Sequence, residues 1–350
     1  MLELDFNQGK NNFWDESIGS GEVDEVGEVY QYYNSGNFVE AFSKGIMLQE
    51  KMPDNPILHN LIGASELALG DAKSAANSYG RAIEVEPNYL ASYINLGSLY
   101  RSLGMKDEAL AIYKIALKIN NEDADLYYHI GNLLMDEKQY SLAQESFHET
   151  LKLDPLYYDA HYNLACVLVE DWKKNNSLSS TIFDLEENIN LDALKTAQKH
   201  LDKAFLVNFD NAEYFNLLAE VQLKIGDYSG SEKSSKRAIS LNKELPDPYI
   251  TLARVRYKKR DYSKAATLAK TALKLDPTLI SAKIELGMAN FNLLNIEDAI
   301  KEFKDVRDLM PENWTNLSHL SLALASIGRF KEAWELFDSR FKIGMDRAKL

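Results

Sequence analysis

The residues of this chain that could carry chemistry are six histidines, one cysteine and an excess of carboxylates. Metal binding and acid–base catalysis need such side chains in local constellations. His59, His129, His148, His161, His200 and His319 are dispersed, and none forms His-Glu-x-x-His or another ligand spacing. Cys166, within NLACVLVE, has no histidine or asparagine partner in local sequence and sits in an apolar run, the setting of a structural or surface thiol. There is no P-loop and no Gly-x-Gly-x-x-Gly; IGSGEVDEVG near residue 20 has the wrong spacing and no following strand. These residues predict neither enzyme activity, metal nor cofactor, and the many carboxylates read as a solvated acidic face. Hydrogen bonding is the chemistry that remains. Asn95, His129 and Asn163 recur at a spacing of 34, and an asparagine amide both donates and accepts. A row of such amides can pair with the N–H and C=O of an extended peptide whatever its side chains.

A repeat of that period must position the row. Small residues recur every 34 positions at Ala41, Ala75, Ala109 and Ala143, then at Ala197, Ser231, Ala265, Ala299 and Ala333. The single 54-residue interval, from 143 to 197, marks an insertion of about 20 residues. A second small residue lies twelve positions earlier in most units, at Gly63, Gly97, Gly131, Ala165, Ala219, Ala253, Gly287 and Ser321. A glycine or alanine there lets two helix axes approach while larger neighbours fill the grooves. Tyr93, Leu96 and Tyr100, then Ala109, Ile112, Tyr113 and Ala116, fall on helical spacing with Gly104 between them, the pattern of a helical hairpin. Units close with proline at Pro53, Pro87, Pro155, Pro277 and Pro311.

YINLGSLYRSLGMKDEALAIYKIALKIN, residues 93–120, closely resembles the tetratricopeptide repeat, in its large-Leu-Gly-Tyr first helix and its Ala-Tyr-Ala second helix. Departures are local: Val29 stands where glycine is usual, and Asn121, Phe209 and Lys243 replace the closing proline. The resemblance implies an all-α fold, an α-solenoid in which about nine tandem hairpins wind as a right-handed superhelix, with first helices on the concave side. Residues 22–341 form this array, 1–21 an acidic extension or cap, and 342–350 a tail. The insertion at about 173–192 lies between the two helices of unit five, where its IFDLEENI stretch has the makings of a short amphipathic helix.

The Asn row also resembles the asparagine ladder in the repeat arm of O-linked N-acetylglucosamine transferases. Only Asn95 and Asn163 match the ladder residue; Leu61, His129, Leu217, Thr251, Glu285 and His319 occupy its place elsewhere, which limits a clamp to units three to five. The same face adds Tyr128, Asn132, Tyr162 and Asn216, with Asp125, Asp136, Asp159, Glu170, Glu213 and Glu220 against Lys224. An extended peptide carrying Lys or Arg would meet tyrosine faces and carboxylates there; the bland alternative is a solvated face with tyrosines packed between units. The carboxylate clamp of chaperone-binding arrays is not matched, since the leading helix has no Lys and Arg254 with Lys258 lacks companions.

Composition agrees. The formal net charge of −14 argues against nucleic acid or an anionic membrane as partner, and about half of it lies in the first 30 residues, where eight carboxylates face only Lys10. One cysteine excludes an internal disulfide, and no apolar run approaches the ~18 residues of a membrane span. A cytoplasmic interaction scaffold or adaptor for a protein or peptide is expected, its oligomeric state open. The end of the chain, GRFKEAWELFDSRFKIGMDRAKL, looks like a final repeat that precedes a transferase domain, so the alternative is the substrate-recognition arm of a glycosyltransferase-like or sulfotransferase-like enzyme.

Overall fold

The structure, a computed structural model, describes residues 22–176, 191–207 and 211–337. The 1–21 extension, most of the insertion, including IFDLEENI, and the 342–350 tail lie outside the described residues. Among the described residues there is no strand. Two compact units, Met1–Leu164 and Ala165–Leu350, divide the chain within one helix.

In the first unit, α1 (Glu22–Asn34) pairs with α2 (Phe38–Gln49), α3 (Pro56–Ala68) with α4 (Ala72–Val85), α5 (Leu90–Ser102) with α6 (Lys106–Ile119), and α7 (Ala124–Asp136) with α8 (Tyr140–Leu153); α9 (Tyr158–Asn176) follows. Each first helix also packs on the next first helix, α1 on α3, α3 on α5 and α5 on α7. The second unit contains the rest of α9, then α10 (Asp192–Ala204) and a 3-10 turn (Phe205–Val207). It continues with the hairpins α11 (Ala212–Lys224) with α12 (Tyr228–Leu241), α13 (Asp247–Lys258) with α14 (Tyr262–Leu275), and α15 (Ile280–Asn292) with α16 (Ile296–Leu309), then α17 (Trp314–Ser326) and a last helix beginning at residue 330.

A size rule closes the hairpins. The small residue of each first helix faces the residue four positions after the repeating alanine of the second helix. A Cβ added at Gly63 would lie 2.8 Å from the Tyr79 ring, one at Gly131 2.6 Å from Phe147, and one at Gly287 2.5 Å from Phe303; Gly97 and Tyr113 form the fourth such pair. Val29, the exception in sequence, is fully buried; Gly45 occupies the aromatic position of its hairpin, where a Cβ would lie 2.8 Å from Ile62 Cγ1 of α3 and only in ordinary contact, 3.9 Å, with Val29 Cγ1. Where the first helix carries Ala219 or Ala253, the second has Ser235 or Ala269 in place of the ring, and all four are buried. The tight glycine–ring fit is thus used in four hairpins, while in these two, small residues stand on both sides.

The turn inside each hairpin whose turn is described uses one left-handed residue. Gly36, Gly70, Gly104, Gly226 and Gly328 take it with φ between 73° and 91°, while Lys138, Arg260 and Leu294 hold it with φ of 57°, 59° and 63°. Glycine reaches this region without the Cβ penalty that other residues meet.

The long helix α9 departs from expectation. The insertion begins as helix, through Asn176, because EDWKKNN holds no glycine or proline to stop the chain where other first helices end after about 13 residues.

Candidate functional site: a polar row on the first helices

The histidines find structural employment. His59 Nε2 donates to the Pro53 carbonyl at 2.7 Å and His161 Nε2 to that of Pro155 at 3.2 Å. Tyr93 Oη makes the same bond to Pro87, at 2.9 Å, and Tyr249 Oη to Lys243, at 3.1 Å. One column of the repeat therefore hooks the turn that precedes its own helix, with histidine and tyrosine interchangeable as donors. Cys166 is half-buried in α9. Among the described residues no group of three or more His, Cys, Asp or Glu side chains could hold a metal ion.

The predicted binding residues of the first unit lie where neighbouring first helices meet. Between α3 and α5, Asn95 Nδ2 donates to Asn60 Oδ1 at 3.0 Å and Ser92 Oγ to the same oxygen at 3.1 Å. Between α5 and α7, Ser98 Oγ lies 3.1 Å from His129 Nδ1, and Arg101 Nε donates to Asp136 Oδ2 at 2.6 Å. Between α7 and α9, Asn163 Nδ2 donates to Asn132 Oδ1 at 2.7 Å and to Tyr128 Oη at 3.2 Å, and Tyr157 Oη donates to Asp125 Oδ1 at 2.7 Å.

Two consequences follow from these bonds. The amide N–H groups of Asn95 and Asn163 are turned toward the preceding helix, and each leaves its carbonyl Oδ1 without a hydrogen bond among the described residues. Their side chains are thereby held in fixed orientation with an acceptor to spare. Tyr128 is embedded rather than projecting. Its ring lies 4.9 Å from that of Tyr157, 5.5 Å from His129 and 6.0 Å from Phe147, so it packs between hairpins. Tyr162 is half-buried on α9, Asn132 buried on α7. Asn216 belongs to the second unit, on α11, where its Oδ1 is buried without a partner among the described residues.

Burial, with the nearby Arg101 guanidinium, depresses the His129 pKa to about 4, so its ring is neutral at physiological pH. Burial raises the pKa of Asp125, which the Tyr157 hydroxyl partly offsets. Of the carboxylates expected to colour this face, Asp125 is bonded to Tyr157, Asp136 to Arg101, and Glu170 and Glu220 to Lys173, at 2.9 and 3.1 Å. Lys224 lies 5.5 Å from the centre of the Trp172 ring.

Asn60, Ser92, Ser98, Arg101 and Tyr157 belong to the row and were missed from sequence. A signal existed for two of them: Asn60 falls in the column of Tyr128, Tyr162 and Asn216, and Ser98 in that of Asn132.

Comparison with known proteins gives the same architecture. A TPR-repeat profile matches residues 97–137, and a tetratricopeptide-repeat profile matches 128–170. The human protein O-mannosyl-transferase TMTC3 is 28% identical over 206 residues, 55% of this chain and 21% of that protein. The BBSome complex member bbs-4 of Caenorhabditis elegans is 24% identical over 126 residues, 36% of this chain and 27% of its own length. The chain thus spans about a fifth to a quarter of these relatives. Among solved structures, the APC/C hetero-tetramer Cut9-Hcn1 superposes with a TM-score of 0.57 at 17% identity, over 75% of this chain and 48% of that one. The pilF protein of Pseudomonas aeruginosa gives 0.54 at 16% identity, over 65% and 95%. At such identities the likeness is one of fold. The paired helices, the small-to-aromatic packing code and the two repeat profiles converge: the chain is a tetratricopeptide-repeat protein, all-α and of solenoid type.

Proposed function

We propose that this protein is a non-catalytic interaction scaffold, and that α5, α7 and the first part of α9 grip an extended peptide through Asn95 and Asn163. The observation that supports it is the amide orientation. Both N–H groups are engaged by the chain itself, so each carbonyl is set out as an acceptor for a peptide N–H without further ordering of the side chain. Asn132, Tyr128 and His129 act as the support that fixes the row, with Tyr162 flanking it and Asn216 a separate contact point in the second unit. A peptide carrying Lys or Arg suits the overall charge of −14 and a neutral His129. Cytoplasmic residence accords with this role, and no helix among the described residues is long and apolar enough to cross a membrane.

The test is titration of an array of Lys- and Arg-bearing peptides against the protein and its Asn95→Ala/Asn163→Ala variant. Binding is expected to fall about tenfold in the variant, one or two hydrogen bonds' worth. N-methylation of the peptide amides should reproduce the loss with unaltered protein. Equal affinity in all three arms would remove the row as a binding site.

One observation favours a second reading, a recognition arm of a transferase: the human relative named above is called a protein O-mannosyl-transferase. On that reading the same row would hold an acceptor polypeptide.

A further inference from the structure

The second unit contains a reversal of charge. Residues 228–264 carry ten Lys and Arg against four Asp and Glu, in a chain whose net charge is −14. On the surface this excess gathers where α12 meets the end of α13. The Glu232 carboxylate accepts hydrogen bonds from Lys236 Nζ at 2.8 Å, Lys259 Nζ at 2.8 Å and Arg256 Nη2 at 2.5 Å. Three cations thus share one anion, which leaves two positive charges uncompensated at one point. The two hydrogen-bonded lysines, with Arg256 beside them, hold the Glu232 pKa near 2, so the carboxylate stays ionised and the arrangement intact at ordinary pH. Lys233, exposed one residue on, makes no ion pair among the described residues.

A second observation is independent of the cluster. Arg260, next in chain to Lys259, is the left-handed residue of its hairpin turn, with φ of 59°, where five other hairpins place glycine. A side chain in that conformation costs roughly 1 kcal/mol, and the exposed Arg260 side chain recovers none of it, since it makes no hydrogen bond or ion pair among the described residues. Lys138 and Leu294 take the same conformation in their own turns; Arg260 differs in placing an unpaired guanidinium beside a basic cluster.

We infer that the surface of Lys233, Lys236, Arg256, Lys259 and Arg260 is a second docking site, and that its occupant is a short segment of a partner protein rich in Asp and Glu. Its carboxylates take the free valences of the three cations around Glu232 and the unpaired Arg260 fork. A nucleic acid fits less well. Its continuous run of phosphates asks for a long basic track, whereas this patch is confined to two repeats of an acidic protein. The site uses no residue of the first-helix row and stands or falls apart from it.

Fluorescence anisotropy with a labelled peptide of about twelve residues, half of them Asp or Glu, tests this on the full chain. A basic peptide of equal length and a single-stranded RNA of about twelve nucleotides serve as comparisons. Saturable binding of the acidic peptide is expected, weakening as salt rises from about 0.05 to 0.3 M. Arg260→Gly should weaken it about three- to tenfold without lowering Tm, because the substitution relieves backbone strain. Glu232→Gln, which removes the internal competitor, should strengthen it. Asn95→Ala/Asn163→Ala should leave it unchanged. Absence of acidic-peptide binding, indifference to Arg260→Gly in a folded variant, or tighter binding of the RNA would overturn the proposal.

Discussion

At the scale of the residue, stability rests on a few paired volumes. Gly131 admits the Phe147 ring to within van der Waals distance of helix backbone, and a methyl there would lie 2.6 to 2.9 Å from three ring carbons. Gly131→Ala is therefore expected to destabilise the protein by about 1–3 kcal/mol through overpacking, although alanine is the better helix former. Combining it with Phe147→Leu should recover part of the loss, because the smaller side chain makes room. Chemical denaturation of the three variants checks both statements. In the first hairpin the glycine at the aromatic position, Gly45, makes room instead for Ile62 of the next first helix, since a Cβ there would lie 2.8 Å from Ile62 Cγ1. This packing was half legible in sequence: the small residue of the first helix stood out by its spacing, while its counterpart was visible only as a column of mixed Gly, Tyr, Phe, Leu, Ser and Ala.

At the scale of the element, neighbouring first helices are joined by polar side chains, and this is where pH should act. His129 is neutral in the folded state with a pKa of about 4, against roughly 6.5 when unfolded. Below pH 6.5 the unfolded chain binds the extra proton, so the contribution of the neutral ring is complete above that pH and lost as pH falls toward 4. For this largely buried ring the loss over that window is on the order of 2–3 kcal/mol. Denaturant midpoints measured between pH 7 and pH 4.5 should fall over this window, and more shallowly in His129→Gln. Helix positions, hairpin turns and the 34-residue period were readable from the spacing of small, apolar, Gly and Pro residues, because each hairpin repeats the same local problem. The links Ser98–His129, Arg101–Asp136 and Asn163–Asn132 were not. Alignment in steps of 34 places residues in columns, but these bonds join positions 31 or 35 apart, set by rotamers and by the offset between adjacent helices. The extension of α9 to Asn176 was missed for a different reason: loop composition in the insertion outweighed the absence of any helix breaker before it.

At the scale of the whole molecule, a repeat protein presents surface in proportion to its length, and here the surface differs in sign from place to place. The first helices of the first unit offer neutral acceptors, the α12–α13 surface of the second a cationic patch, within a chain of charge −14. Such division suits a scaffold that holds chemically different segments. In the proposed binding mode a peptide lies along α5, α7 and the start of α9. Hydrogen–deuterium exchange with and without a saturating Lys-bearing peptide selected from the array tests this most directly. The predicted result is added protection in residues 90–102, 124–136 and 158–164, abolished by Asn95→Ala/Asn163→Ala; a bound peptide that protects only other helices would contradict it.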